Sequence, residues 1–346
     1  MIQTGEPTPD ENEITGSIDH AKHEMQQDRC LAAARLVRAI PINERSEEHL
    51  EILRIAQHFE EVLSELTSEP KGGDWIKLNE FHDGTYDTVL YYKLDESSRL
   101  MARLETPLNP SMVIPLLSVF NETDLYATWL PRWERPICLG LRHCKLIRQP
   151  GRCHQVISAV TDLPWPWKPR QCDIEVTACD DLDEQNMIVV MMDSLDSDPD
   201  IPTTPGVVRI EYKGGIVFRP CPIDHPAWHK SKQTDRSNKV LVSLTMMVDP
   251  KVSFIPVSIV NFVTRTVLGT MWKSMLKVAE QVRDGSRPEH AKAIQQKREL
   301  LYDYLEMRIE KMMNSLKELS TMDSTSIPDD PTPVNKEELN NILAFL

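Results

Sequence analysis

The sequence has little of what nucleic-acid-binding, membrane-spanning and secreted proteins carry. Of its 346 residues, 39 are lysine or arginine and 53 are aspartate or glutamate, so the formal net charge is −14 at pH 7. Because binding to nucleic-acid phosphates requires clustered positive charge, we expect no nucleic-acid partner. No uninterrupted apolar run approaches the length of a membrane span, and residues 1–17 lack the basic and apolar segments of a signal peptide.

Cysteine is also sparse and irregularly placed. The seven cysteines are an odd number, are scattered along the chain and include no C-x-x-C pair. This usage favours reduced thiols over a disulfide framework. We therefore expect a cytoplasmic protein, and one that can also lie peripherally on membranes through a local patch.

The motifs of the common enzyme and cofactor-binding families are missing. The chain contains no G-x-S-x-G, no P-loop, no G-x-G-x-x-G and no H-E-x-x-H. His225 and His229 have the spacing of helical metal ligands, but Pro226 lies between them and no third ligand is evident. We predict no catalytic residue, no metal site and no cofactor.

Helical patterns flank a central region at both ends. Residues 1–18 are polar and acidic and are predicted to be disordered, whereas residues 19–69 predict a helical hairpin whose second helix has Ser46 as its N-cap. This hairpin either packs on the following domain or binds a protein partner. Residues 288–319 predict a charged amphipathic helix with one apolar stripe, which docks on the body or on a partner, and residues 320–346 predict a linker and tail.

The central region, residues 74–285, changes to the alternating pattern of strands. A helical stretch, residues 111–121, interrupts the strands, and Gly214-Gly215 predicts a turn between two of the later ones. The strands are predicted at residues 75–81, 85–93, 99–106, 137–148, 153–160, 172–178, 187–193, 207–212, 216–219 and 239–248.

A long apolar helix, residues 257–282, follows the last predicted strand. Its apolar residues cover far more than the single stripe that a surface helix shows. Such a helix must be covered on several sides or must roof an apolar cavity. A plain core helix and a helix that covers a ligand both satisfy this pattern.

Three local patterns accompany these elements. They are residues 124–131 (DLYATWLP), the proline- and tryptophan-rich loop that ends at Pro169-Arg170, and Val248-Asp249-Pro250 followed by Ile255-Pro256 and Asn261. Taken in order, the elements and these patterns resemble the START (StAR-related lipid transfer) domain family, part of the helix-grip, Bet v 1-like superfamily. One departure is that the family's Arg-Asp pair is split here by Gln171 and Cys172.

The resemblance implies an α+β helix-grip fold, in which a curved antiparallel sheet wraps around a long C-terminal helix and extra helices flank it at both ends. It also implies non-catalytic binding of one lipid, a phospholipid or sterol, in an apolar cavity between sheet and helix, for transfer or sensing. Each CH₂ of a lipid tail gains about 0.8 kcal/mol from burial in such a cavity. The implied partners are this lipid and, transiently, a membrane surface.

Candidate ligand contacts come from the strands and from the closing helix. Methionines suit a cavity wall that adapts to variable tails, and only one member of an adjacent pair on a strand faces the cavity. Arg103 and Arg209 interrupt apolar strands, where a buried arginine needs a carboxylate or phosphate partner, although both also fit solvent-facing positions. The candidate set is Arg103, Met191, Arg209, Met247, Val260, Val267, Met271 and Met275.

The loop that contains Trp165 and Trp167 is the candidate membrane contact. These tryptophans lie among prolines and suit either burial in the core or docking of the cavity mouth to a membrane interface. Lys168 beside them can meet lipid phosphates. Trp165, Trp167 and Lys168 are therefore the predicted membrane-docking residues.

Two other functions fit the sequence. One is a protein-interaction module whose interior is filled by bulky residues such as Phe254, Phe262 and Trp272. A void too small for a lipid chain favours this module. The other is a helix-grip enzyme that acts on a hydrophobic small molecule, which requires a histidine or carboxylate with a perturbed pKa in an apolar pocket.

Overall fold

The computed structural model of the chain describes residues 11–68, 75–82, 85–94, 99–134, 138–202, 204–228, 238–249, 251 and 263–323. Within these ranges the chain forms one antiparallel sheet with helices packed against it. The predicted fold class, α+β with an antiparallel sheet against a C-terminal helix, is confirmed.

Over the residues that the structure describes, the sheet contains ten strands. They are β1 (Ile76–His82), β2 (Asp87–Leu94), β3 (Leu100–Leu108), β4 (Gly140–Gly151), β5 (His154–Asp162), β6 (Arg170–Asp181), β7 (Met187–Ser194), β8 (Val208–Arg209), β9 (Glu211–Pro220) and β10 (Val240–Asp249). Their order in space is β1-β2-β3-β10-β9-β7-β6-β5-β4, and β8 pairs with β6. All of these pairs are antiparallel except the short pairing of β6 with β8.

Helices precede the sheet, interrupt it and follow it. They are α1 (Glu11–Gln26), α2 (Cys30–Ala39), α3 (Glu47–Thr67), α4 (Val113–Asn121), α5 (Leu182–Gln185), α6 (Gly269–Arg283), α7 (Pro288–Gln296) and α8 (Asp303–Asp323). Ser46 caps α3 as predicted, because its Oγ accepts a hydrogen bond from the N–H of His49.

Helices cover both faces of the sheet. We call outer the face that carries Met191 and Val217, which packs against α1, α2 and α3. We call inner the face that carries Val190 and Ile216, which packs against α4, α6 and α8. The N-terminal helices thus share a core with the sheet, and the protein has three layers.

Tight docking of α3 explains a prediction that was wrong. Gly214-Gly215 was expected to form a turn, but β9 runs straight through both residues. A Cβ on Gly215 would overlap Cγ1 of Val62 from α3, and a Cβ on Gly214 would overlap the carbonyl oxygen of Thr245 in β10. These glycines therefore serve close packing rather than chain reversal.

A buried ion pair anchors the end of α3 to the outer face. The Arg103 guanidinium donates hydrogen bonds of 2.7 Å each to the carbonyl oxygens of Glu65, Leu66 and Ser68, which are the otherwise unpaired acceptors at the helix end. It also donates to Glu105 at 3.0 Å from its Nε. Arg103 therefore caps the helix while its charge is neutralised within the sheet.

The inner helices are anchored mainly by apolar packing. Trp272, Met275 and Leu276 of α6 are buried against the sheet, and the indole N–H of Trp272 donates to Oγ1 of Thr106 at 2.8 Å. The beginning of the predicted apolar helix, residues 257–262, lies outside the described residues. A π-helical segment, Val263–Leu268, leads directly into α6.

The N-terminal boundaries differ from the prediction. α1 begins at Glu11, within the segment 1–18 that was expected to be disordered, and residues 1–10 lie outside the described residues. The first predicted helix of the hairpin is divided into α1 and α2 near Asp28, whose φ of 60° is left-handed.

The C-terminal helix also differs from the prediction. A π-helical segment, Arg298–Tyr302, separates α7 from α8, where one continuous helix over residues 288–319 was predicted. The apolar stripe of this region is buried on the inner face through Leu301, Leu305, Ile309 and Met312. The tail from residue 324 onward lies outside the described residues.

Candidate functional site

A cavity of about 100 Å³ lies on the inner face, between the sheet and the helices α4 and α8. Strands β5, β6 and β7 form its floor, and residues of α4 and α8 form its roof. Alternation along β6 and β7 turns Val176 and Val190 toward it. Its apolar lining consists of Leu117, Phe120, Val176, Ile188, Val190, Leu301 and Leu305.

Polar groups gather at one end of this cavity. The Arg152 guanidinium stacks over the ring of Tyr304, 3.8 Å from the ring centroid, and its Nε donates to Asp28. The Tyr304 hydroxyl donates to Oδ2 of Asp180 at 2.6 Å, and Nη2 of Arg308 donates to Oδ1 of the same carboxylate at 2.9 Å. The cavity is thus amphipathic, with an apolar body and a charged end.

The charged end continues into a short acidic turn, which we define as residues Asp180–Glu184. Arg308 and Lys311 of α8 bind Asp183 from the inner side of the molecule. Arg29 of the N-terminal helices binds the same Asp183 at 2.9 Å. The acidic turn therefore links the outer and inner helices to one place on the sheet.

The described lining does not contain a group prepared for acid–base or nucleophilic chemistry. Burial raises the pKa of the Cys153 thiol. Burial and the hydrogen bond to Asp180 raise the pKa of the Tyr304 hydroxyl. Both groups stay protonated at neutral pH, and no histidine lies among the described residues that line the cavity.

The cavity is small compared with a lipid chain. An engineered cavity of about 150 Å³ accommodates benzene, so a volume of about 100 Å³ holds less than one aromatic ring. Packing explains the limited space, because Tyr302 and Met312 are buried in the same inner core. In this conformation the cavity can hold one end of a ligand but not a whole acyl tail.

The structure corrects three of the predicted ligand contacts. Arg103 and Met191 lie on the outer face, because the ladder pairs Arg103 with Thr245, Thr245 with Gly215, and Gly215 with Met191. Met247 follows the same alternation, two residues beyond Thr245. Their neighbours in sequence, Met192 and Met246, are the members of each pair that pack against the inner core.

The other predicted contacts have different positions. Arg209 binds Asp173 through Nε at 2.7 Å, beside the short pairing of β6 with β8 and away from the described cavity. Val267 and Met275 are buried, Met271 is half-buried, and none of the three lines the cavity. Val260 lies outside the described residues.

The predicted docking loop joins β5 to β6 at one end of the sheet. Trp165 is 90% exposed, which is the highest exposed fraction among the large apolar side chains of the described residues. Trp167 is half-buried and Lys168 is exposed. The structure therefore separates the two tryptophans, one directed into solvent and one partly packed on the protein.

Sequence reasoning missed the polar end of the cavity. Arg152 occupies the predicted β4–β5 hairpin turn, where an arginine is ordinarily a solvated residue. Tyr304 belongs to the apolar stripe of the C-terminal helix, which was noted only as a docking face. The sequence did contain one signal, since Tyr304 and Arg308 lie among the leucines of that stripe at helical spacing.

Among the residues that the structure describes, no three histidine, cysteine, aspartate or glutamate side chains are placed to hold a metal ion. No described helix is both long enough and apolar enough to cross a membrane.

Comparisons with known proteins give matches in structure but not in sequence. No protein-family model matches the chain, and no curated protein matches it. Human STARD10 matches 70% of this chain and 82% of its own, at 14% identity and a TM-score of 0.46. The match to human StAR-related lipid transfer protein 5 covers 66% of this chain and 98% of that chain, at 15% identity and a TM-score of 0.46. The match to a STAR-related lipid transfer protein of Xanthomonas axonopodis covers 60% of this chain and 100% of that chain, at 19% identity and a TM-score of 0.43. The chain is thus similar to solved StAR-related lipid transfer structures.

Proposed function

We propose that this protein binds a lipid non-catalytically on the inner face of its sheet. The observation that carries this proposal is the amphipathic cavity between strands β5 to β7 and the helices α4 and α8. An apolar body with a charged end suits a molecule with a hydrocarbon tail and a polar head. The protonated Cys153 and Tyr304 fit a binding role without chemistry.

Uptake of a complete tail requires the cavity to enlarge. Burial of about 15 CH₂ groups gains on the order of 10 kcal/mol before ordering costs, which offsets the cost of displacing a helix. Helix α8 is the wall that would move. Apolar packing holds it to the inner face, and Arg308 and Lys311 bind it to the acidic turn. The structure then corresponds to the closed form of a lipid-binding protein.

Contact with a membrane fits the exposed Trp165. An indole that is 90% exposed gains free energy at a membrane interface, and the adjacent Lys168 is free to approach lipid phosphates. We propose a cytoplasmic protein that meets membranes peripherally through this loop. The formal charge of −14 keeps such contact local and transient.

The first experiment is native mass spectrometry of the purified full chain, followed by organic extraction. A lipid adduct of one molecule per protein supports the proposal and identifies the lipid class. A protein that stays ligand-free after incubation with mixed liposomes contradicts it.

The docking loop has its own test in liposome co-sedimentation. Trp165→Ser should weaken sedimentation several-fold, because the most exposed indole is lost. Ile223→Ser is the matched control, since Ile223 is also an exposed apolar side chain, 67% accessible, but lies in the β9–β10 connection. Equal sedimentation of the wild type and the Trp165 variant would overturn docking through this loop.

A protein-interaction module is the second candidate function. The specific observation in its favour is the cavity volume of about 100 Å³, which is too small for a lipid chain without movement. In this case the partner binds the helical flanks, and the mass-spectrometry experiment finds no lipid. The enzyme hypothesis has no comparable support among the described lining residues.

A further inference from the structure

We infer that the charged end of this cavity binds the carboxylate of a single-chain fatty acid, with Arg152 as the hydrogen-bond donor. This inference rests on the proposed function and specifies its ligand and its site. It assigns the head group to the β4–β5 turn beneath α8, rather than to the space beneath α6 where the ligand was expected.

The first argument is an unused donor. Nη2 of Arg152 is buried and has no hydrogen-bond partner among the described residues, although Nε of the same guanidinium donates to Asp28. Leaving a buried charged donor unpaired is costly, and an incoming oxygen acceptor removes that cost. Because Arg152 lines the cavity, a ligand inside it can supply the acceptor.

The second argument is the arrangement of charge. The neighbouring Arg308 is already bound by Asp180 at 2.9 Å, and the Tyr304 hydroxyl also donates to that carboxylate. The hydrogen-bonding groups of Arg308, Tyr304 and Asp180 are thus paired with one another. Nη2 of Arg152 is the donor that remains for a ligand oxygen. A carboxylate matches a guanidinium better than a neutral carbonyl does.

The third argument is volume. A cavity of about 100 Å³ has room for a small head group and the first carbons of one chain, but not for a phosphodiester with two tails. The lining beyond the head is mainly apolar, through residues such as Val176, Val190 and Leu305. Its amides, Gln155 and Asn121, are hydrogen-bonded to each other at 2.6 Å. The remaining tail extends along the underside of α8, which must shift outward as the chain lengthens.

The test measures binding of dodecanoate and of dodecylamine to the full-length chain by isothermal titration calorimetry. The two probes share a tail, but the protonated amine offers no acceptor to an arginine. Arg152→Met keeps the aliphatic stem and removes the donors. Arg148→Met is the matched control, because Arg148 lies on the same hairpin but its Nη2 binds Asp198 on the surface at 2.7 Å.

We expect the wild type and Arg148→Met to bind dodecanoate alike and to prefer it to dodecylamine. Arg152→Met should bind dodecanoate about ten- to a hundredfold more weakly, as loss of a hydrogen bond to a charged group implies. A second variant, Val176→Phe, fills the cavity without touching the head-group site and should also weaken binding. Circular dichroism of both variants checks that they are folded.

Two results overturn the inference in different ways. If the wild type takes up lipid from liposomes but both variants bind dodecanoate as the wild type does, the ligand lies elsewhere, and the proposed function stands without this site. If the wild type binds neither dodecanoate nor any liposome lipid, the proposed function fails together with the inference.

Discussion

The two faces of the sheet are held to their helices by different forces. On the outer face, Arg103, Glu105 and His225 form a buried polar network, in which Nε2 of His225 lies 3.1 Å from Oε2 of Glu105. On the inner face, the contacts of α6 and α8 with the sheet are mainly apolar, and the cavity lies among them. The end of α3 is therefore fixed by buried directional bonds. Helices α6 and α8 are held mainly by apolar packing, with the Arg308–Asp180 pair as a directional bond at the charged end of the cavity.

Under the proposed function, this difference predicts which layer moves during ligand uptake. Directional buried bonds break only at a large cost, because each separated charge stays desolvated. Apolar contacts weaken gradually as helices separate, and a ligand tail replaces the lost contacts with its own. The outer layer is thus the rigid support and the inner layer the adaptable one. Three experiments test this difference.

The largest effect is expected at Arg103. Arg103→Met leaves Glu105 buried without its arginine and leaves the end of α3 uncapped, which should lower the free energy of unfolding by about 3–5 kcal/mol. Urea denaturation measures the change. Arg54→Met is the matched control in α3, where loss of the exposed pair with Glu51 should change the free energy of unfolding very little. Similar losses in the two variants would contradict a buried polar anchor.

The next effect concerns the close approach of α3 to β9. Gly215→Ala should lower the free energy of unfolding by about 1–3 kcal/mol, because the added methyl group overlaps Val62. Val62→Ala added to Gly215→Ala should restore part of the lost free energy of unfolding, because it removes the Cγ1 that the new methyl group overlaps. In a double-mutant cycle, the two substitutions together should then cost less than the sum of their separate effects. Gly151→Ala is the control, since no atom lies within 4 Å of its added Cβ. Additive effects would show that α3 does not press on this strand.

The smallest effect is a difference in pH response between the faces. Burial lowers the pKa of His290 in α7, whose Nδ1 lies 3.1 Å from Oγ of Ser118 in α4. The charges near it are Glu122, Arg287 and Glu289. Because the folded state favours the neutral imidazole, this contribution to stability is complete above pH 6.5 and declines as the pH falls below that value.

Glu105 on the outer face responds over a lower range. Burial opposes its ionisation, but the hydrogen bond from His225 and the charge of Arg103 outweigh burial and lower its pKa from 4.5 to about 2. Its contribution is therefore complete above pH 4.5 and is lost as the pH falls toward 2. Hydrogen-exchange protection factors should fall in α7 between pH 7 and pH 5, but not in β3, which carries Glu105. Equal loss in α7 and β3 contradicts this difference in pH response.

The sequence predicted the order of strands and helices, since period-two and helical patterns are local properties. It did not predict which face a strand residue occupies, as Met191 and Met247 show. Both faces of β7 are covered by helices, and no polar alternation selects one member of its methionine pair. In β10 the polar residues Ser243 and Thr245 lie on the same face as Met247, so the local pattern did contain a signal for the outer face.

The cavity itself was beyond sequence reasoning because its polar end combines distant segments. Arg152 comes from a hairpin turn, Tyr304 from the C-terminal helix and Asp180 from the end of β6. No local rule relates these three positions, which become neighbours only after the sheet and α8 pack together. Gly215 illustrates the same limit, since its role depends on a helix far away in sequence.

The docking of the N-terminal helices has a consequence for synthesis of the chain. Arg35 of α2 binds Glu184, a residue 149 positions later. At about 5–20 residues per second, a ribosome needs roughly ten to thirty seconds to make the intervening chain. During that interval the apolar sides of α2 and α3 have left the ribosome without the strands that bury them.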